Sequence, residues 1–140
     1  MIILDTNVLS TLMRDEPEAE IIPWLDSQSV ESVWTTSIPV YELRFGIELL
    51  TAGRRRRQLD EAFTAVIEQD LEGRVLPFDA TAARLAGTVA AEHRRAGRSL
   101  EIRDVQIAGI ARARKATLAT RNIKHFERIG LTLVNPWSGE

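Results

Sequence analysis

The chain alternates short apolar runs with longer stretches of helical period. Met1 to Leu4 form an unbroken apolar run, the pattern of a strand buried on both faces. Asp5, Thr6 and Asn7 are turn- and cap-forming types, which predicts a helix from here to about Arg14. A second helix is predicted over Glu18 to Asp26, with Trp24 and Leu25 facing inward, and Val33 to Ser37 reads as a short strand. From Pro39, a residue suited to a first helical turn, Val40, Leu43, Ile47 and Leu50 recur at the spacing of one buried stripe. Past Gly53 a helix is predicted from Arg54 to about Asp70, then a small strand from Arg74 to Pro77. Asp79 caps the following helix, which runs to about Arg95 and ends at Gly97. Asp104 is expected to open the next helix, whose apolar side is Ile107, Ala108, Ile110 and Ala111. Thr117 to Thr120 and Leu131 to Val134 read as the last two strands, around a brief helical turn at Ile123 to Phe126.

Strands alternating with longer helices predict a parallel sheet covered on both faces. Such sheets carry their sites outside the carboxyl ends of the strands. Asp5, Ser37 and Thr120 all fall at predicted strand ends. No repeat, low-complexity tract or flexible linker interrupts the pattern, so residues 1–140 are expected to form one domain.

Composition narrows the chemistry. A hydrophobic share of 44% and a charged share of 27% are ordinary for a globular protein, and the absence of cysteine excludes disulfides and thiolate metal sites. No apolar run approaches the ~20 residues of a membrane span, and Asp5 interrupts any signal-like start. A cytoplasmic protein without membrane contact is expected. The net charge of −2 conceals an asymmetry. Residues 1–50 carry nine acids against Arg14 and Arg44, a net of −7, and residues 51–140 carry a net of +5. The first part is suited to gathering cations and the second to meeting anions.

Asp5 can be read as a helix cap or as a carboxylate aimed into the crevice beyond the sheet, with Thr6 or Asn7 available to cap instead. Glu42 lies beside the apolar stripe of its helix, where an unpartnered carboxylate is costly. One turn on, Gly46 removes bulk and leaves room for an ion, solvent or backbone. Asp104 again suits a cap as well as a site, and Asn122 suits a turn. Taken together, Asp5, Glu42 and Asp104 form the oxygen-rich set that a hard divalent cation such as Mg²⁺ or Mn²⁺ requires. Zinc is disfavoured because His93 and His125 are the only histidines and lie far apart; both are expected at the surface.

Four segments resemble the signature regions of PIN-domain nucleases: Met1-Ile-Ile-Leu-Asp-Thr-Asn-Val-Leu, Pro39-Val-Tyr-Glu-Leu-Arg-Phe-Gly, Asp104-Val-Gln-Ile-Ala-Gly-Ile-Ala and Leu118-Ala-Thr-Arg-Asn. The ending Val134-Asn135-Pro136-Trp137 is similar to the FitB-like branch of the VapC toxins. The resemblance spans nearly the whole chain in the expected order. It implies a Rossmann-like three-layer α/β/α PIN domain with a short central parallel sheet, acting as a Mg²⁺- or Mn²⁺-dependent endoribonuclease toxin. Asp5, Glu42 and Asp104 match the family's acids and metal ligands, while Thr6, Thr120 and Arg121 match positions that line the site and position substrate. Asn122 stands where some members carry a fourth acid, and His125 where many carry an acid slightly further on. An amide adds no charge, so one firmly held ion is expected, with any second site weakened. The family further implies a homodimer, a cognate antitoxin of VapB or FitA type, structured RNA as substrate, and operator DNA reached only through the antitoxin.

Two alternatives remain. A haloacid-dehalogenase-type phosphatase also begins with a strand ending in Asp, but needs a second Asp where this chain has Asn7. A non-catalytic PIN-like module binding nucleic acid or a partner is compatible with the departure at Asn122. Basic residues cluster at Arg54, Arg55, Arg56 and Arg57, at Arg94, Arg95 and Arg98, and at Arg112, Arg114 and Lys115; each is a solvated surface or a phosphate patch, and the first is the expected RNA contact. Trp24, Trp34 and Phe45 are expected mainly in the core.

Overall fold

The computed structural model describes residues 1–138. Five parallel strands, β1 (Ile2–Leu4), β2 (Val33–Thr36), β3 (Val75–Leu76), β4 (Thr117–Ala119) and β5 (Thr132–Val134), lie in the order β3-β2-β1-β4-β5. Strand β1 is central, with Ile2 facing both Val33 and Thr117 and Ile3 facing both Trp34 and Leu118. Its unbroken apolar run has a direct cause. Ile3 points into a core with Ile107, Ile110, Leu118 and Phe126, while Leu4 points into the opposite core with Val8, Leu9, Val33 and Ala119. Each such side chain, fully buried, stabilises the fold by about 1.5–3 kcal/mol.

Helices α1 (Thr6–Leu12), α2 (Ile21–Asp26), α3 (Ser37–Glu48), α4 (Arg54–Thr64), α5 (Ala80–Arg95), α6 (Ile102–Arg114) and α7 (Ile123–Phe126) connect the strands. Several begin or end away from the positions predicted. Helix α3 starts at Ser37 rather than Pro39, because the Thr36 hydroxyl accepts from the Ile38 N–H (3.3 Å) and so closes β2 one residue early. Helix α2 starts at Ile21, three residues after Glu18, with no side-chain cap. The long helix from Arg54 relaxes into a π-helical turn over Ala65–Asp70 before Glu72 and Gly73, both at positive φ, reverse the chain. Asp79 caps α5 as expected, accepting from the Ala82 N–H at 2.9 Å.

Helices α5 and α6 form the tightest pair. Ala82, Ala86, Val89 and His93 make the buried stripe of α5, and Gly109 of α6 meets it so closely that an added Cβ would lie 2.8 Å from the Ala86 Cβ and overlap the Ala82 carbonyl. His93 is therefore buried, not at the surface as expected: it falls on the stripe, and its Nδ1 donates to the Val89 carbonyl at 3.1 Å. Phe45 departs in the other direction. It is 53% exposed and packs edge-on against Tyr41, while Trp24 and Trp34 rest against the two cores. Among the described residues no helix is long and apolar enough to cross a membrane.

Candidate active site

The strand order reverses at β1, with β2 on one side and β4 on the other. That switch point leaves a crevice beyond the strand ends, because the crossovers from adjacent strands leave in opposite directions. Asp5 follows β1 and Thr120 follows β4, locked together by the Asp5 N–H donating to the Ala119 carbonyl at 2.9 Å. The buried Thr120 hydroxyl donates to Asp5 Oδ2 at 2.7 Å. Asp5 is also the N-cap of α1, its Oδ1 accepting from the Thr6 N–H at 2.8 Å. Cap and site carboxylate are thus one residue: one oxygen serves the helix and the other the Thr120 hydroxyl of the neighbouring strand end. Asn7 completes the shell, its amide donating weakly to Asp5 Oδ2 and to Thr120 Oγ1, both at 3.4 Å.

The other two acids come from helices that flank this point, Glu42 from the middle of α3 and Asp104 from the first turn of α6. Glu42 projects from α3 and accepts from the Thr6 hydroxyl at 3.2 Å; its second oxygen faces Arg103 at 3.5 Å. Asp104 stands in the first turn of α6 but does not cap it. Glu101 does, accepting from the N–H groups of Arg103 (3.0 Å) and Asp104 (3.4 Å), so the helix opens at Ile102, before the predicted start. The Asp104 carboxylate is left facing His125, whose Nδ1 lies 3.2 Å away.

Electrostatics ties the three together. Burial pushes the Asp5 carboxyl above its ordinary range, against the hydrogen bonds from Thr120 and Thr6 that favour the ionised form. Glu42 is also raised by burial and by the charges of Asp5 and Glu101, opposed by Thr6 and Arg103. Asp104 is raised by burial and by Asp5 and Glu101, opposed by His125. Three carboxylates that resist ionising because of burial, two of them also because of the Asp5 charge, are the kind of site a hard cation relieves. The donor chemistry fits Mg²⁺ or Mn²⁺. The side-chain arrangement is more open than a loaded site, because among the described residues no three Asp, Glu or His groups stand close enough to enclose an ion. Glu42 leans toward Arg103 and Asp104 toward His125, and each would swing off that partner to share a ligand sphere.

The remaining expected residues fall in different places. Asn122 lends the site its backbone: its N–H donates to Thr120 Oγ1 at 3.0 Å, and its exposed side chain forms no hydrogen bond among the described residues. Arg121 turns away, pairing with Glu18 at 3.1 Å and stacking its guanidinium 4.3 Å above the Trp137 ring, although its N–H donates to Asn7 at 3.1 Å. Arg54–Arg57 occupy the start of α4, where Arg56 is paired with Glu48 and Arg55 lines a groove shared with Glu42, Gly46 and Arg14. Gly46 leaves open space beside that groove. Arg103 and His125 were not expected to touch the acids. Arg103 carries a weak signal in its position next to Asp104, whereas His125 lies twenty-one residues further along and no spacing rule links the two.

A family profile described as PIN domain matches residues 2–131. The chain is 41% identical over 137 residues to plasmid stability protein StbB of Pseudomonas syringae pv. tomato, covering 98% of this chain and 99% of that one. It is 39% identical over 137 residues to VapC ribonuclease Y4jK of Sinorhizobium fredii, covering 98% of each. Its fold is similar to the solved structure of FitAcB from Neisseria gonorrhoeae, with TM-score 0.88, 35% identity, and coverage of 98% of this chain and 99% of that one.

Proposed function

We propose, from the premise that this chain belongs to the PIN-domain family, that it is a divalent-metal-dependent endoribonuclease and the toxin half of a toxin–antitoxin pair. One observation carries the reading: Asp5 and Thr120 meet across the switch point with Glu42 and Asp104 in electrostatic reach. Asp5, Glu42 and Asp104 would hold the ion, Mg²⁺ or Mn²⁺, which when bound supplies Lewis acidity toward a phosphodiester and a water of lowered pKa. The protein's own part is positioning. Thr120 and the α1 N-terminus keep Asp5 oriented and favour its ionised form in a buried place. Thr6 orients Glu42, and Glu101 takes over the cap of α6 so that the Asp104 carboxylate stays available. Asn122 is a neutral neighbour, holding Thr120 through its backbone.

The chain would work as a single domain over residues 1–140, as a cytoplasmic homodimer. It would be silenced by a cognate antitoxin and would reach operator DNA only through that partner. Its substrate would be structured RNA. The ribonuclease name of a relative 39% identical to it and the ordered motifs both support this reading.

The test is sequencing of RNA 5′ ends after pulsed expression of the wild type and Asp5→Ala, paired with cleavage by the purified proteins in Mn²⁺ and in chelator. The expected result is a defined set of ends seen only with the wild type, lost in chelator and restored by metal. Equal cleavage by Asp5→Ala would overturn the assignment. A second reading, a non-catalytic binding module, is favoured by one observation: the acids pair separately with Arg103 and His125. RNA bound but uncut in Mn²⁺ would establish that reading instead.

A further inference from the structure

Beside the acids lies a second feature that the cleavage reading does not use. A cleft of about 500 Å³ opens between the end of α5, the turn leading into α6, and α7. Asp104 and His125 line it, so it shares a wall with the acidic centre. Its cations come from two segments: Arg98 after α5, and Lys124 and Arg128 in and just beyond α7. All three are exposed, and among the described residues none has an ion-pair partner. The acids on the wall are mostly committed. Glu101 caps α6 and pairs with Arg103, and Asp104 faces His125, which leaves Glu127 as the uncompensated carboxylate.

The expected anion site at Arg54–Arg57 has one of its four cations neutralised. Arg56 is neutralised by Glu48, and Arg57 lines a surface shared with Asp60 and Glu61. Three unpaired cations spaced around an open cleft match a chain of phosphates better than a single anion, because each can neutralise one backbone charge and release its counterion. No Phe, Tyr or Trp lines the cleft, and its two imidazoles are engaged, His93 with the Val89 carbonyl and His125 with Asp104, so it would grip backbone rather than stack bases.

We propose that this cleft is the RNA-backbone track: the strand leaving the acidic centre past Asp104 runs between Arg98, Lys124 and Arg128, which bind its phosphates. The inference rests on the nuclease reading and names where its substrate lies.

The test measures binding of a short fluorescein-labelled single-stranded RNA of mixed sequence by anisotropy, in chelator, across a KCl series. The wild type is compared with the triple variant Arg98→Ala/Lys124→Ala/Arg128→Ala, with Arg54→Ala/Arg57→Ala, and with Glu127→Gln. The triple variant is expected to bind at least tenfold more weakly at low salt. Its slope of log affinity against log salt should flatten by about 2, from ~0.7 for each of three lost single-strand phosphate contacts. Glu127→Gln is expected to bind more tightly and Arg54→Ala/Arg57→Ala to match the wild type. Calorimetric Mn²⁺ affinity of the triple variant should equal that of the wild type, which separates the track from the acids. Unchanged RNA affinity and slope in the triple variant, with the wild type binding and cutting RNA, would overturn the track and leave the nuclease reading standing. So would a loss confined to binding of an acidic antitoxin peptide or to dimerisation. A wild type that neither binds nor cuts RNA would overturn both.

Discussion

Replacing Thr120 by valine tests whether the two strand ends act as one unit. The change is nearly isosteric and removes a single donor, the hydroxyl that reaches Asp5 Oδ2 at 2.7 Å in a fully buried position. A hydrogen bond to a charged group contributes roughly 1.5–3 kcal/mol. Its loss should lift the Asp5 carboxyl, already raised by burial, further still. The sign follows from linkage. A carboxyl raised in the fold binds protons more tightly there than in the unfolded chain, so stability falls as pH climbs from its ordinary value of 3.8 through the raised one. Thr120→Val enlarges that loss above the raised pKa, where Asp5 is ionised. Below the folded pKa only a neutral bond of about 0.5–1.5 kcal/mol is at stake. Urea unfolding in chelator at several pH values, for the wild type, Thr120→Val, Asp5→Asn and the double variant, measures this directly. The expected result is a destabilisation of roughly 1.5–3 kcal/mol above the raised pKa, shrinking on acidification and largely absent in the Asp5→Asn background. A penalty independent of both pH and Asp5 would show that Thr120 acts only as a packed core residue.

Other perturbations separate the site from its scaffold. Asp104→Asn removes a charge that burial and Asp5 both oppose, so the metal-free protein should melt higher while RNA cleavage and the rise of Tm with Mn²⁺ are lost. Arg103→Gln releases Glu42 from the cation 3.5 Å away; calorimetry should find tighter Mn²⁺ binding, and weaker binding would mean that Arg103 helps to assemble the acids. Gly109→Ala sets a Cβ against Ala82 and Ala86. Overpacking of about 1–3 kcal/mol should outweigh the ~1 kcal/mol that alanine gains in helix propensity, lowering the midpoint of urea unfolding.

Much of the architecture was legible because single-chain patterns have direct physical causes. Met1–Leu4 reads as a central strand since both its faces must be apolar, and Asp79 reads as a cap since its carboxylate serves the next turn. Misplaced boundaries came from a neighbouring residue taking the cap. Glu101 caps α6 where Asp104 was the expected candidate, and Thr36 starts α3 ahead of Pro39. His93 looked like a surface residue because polarity is visible in sequence and the approach of α6 at Gly109 is not. At the site, residue types and positions could be read along the chain, but their pairing could not. Thr120 meets Asp5 only because β4 neighbours β1, and the meetings of Arg103 with Glu42 and His125 with Asp104 depend on how three helices enter the crevice.

The strands of this sheet are only two to four residues long, so Asp5 and Thr120 each sit one residue beyond a paired backbone. Their separation is set by main-chain ladders that any sequence with a strand's dihedral angles supplies. The helices bring the other two acids, Glu42 and Asp104. Such a division of labour lets side chains on the helix exteriors be replaced without disturbing the pair at the strand ends, whose spacing the backbone alone maintains.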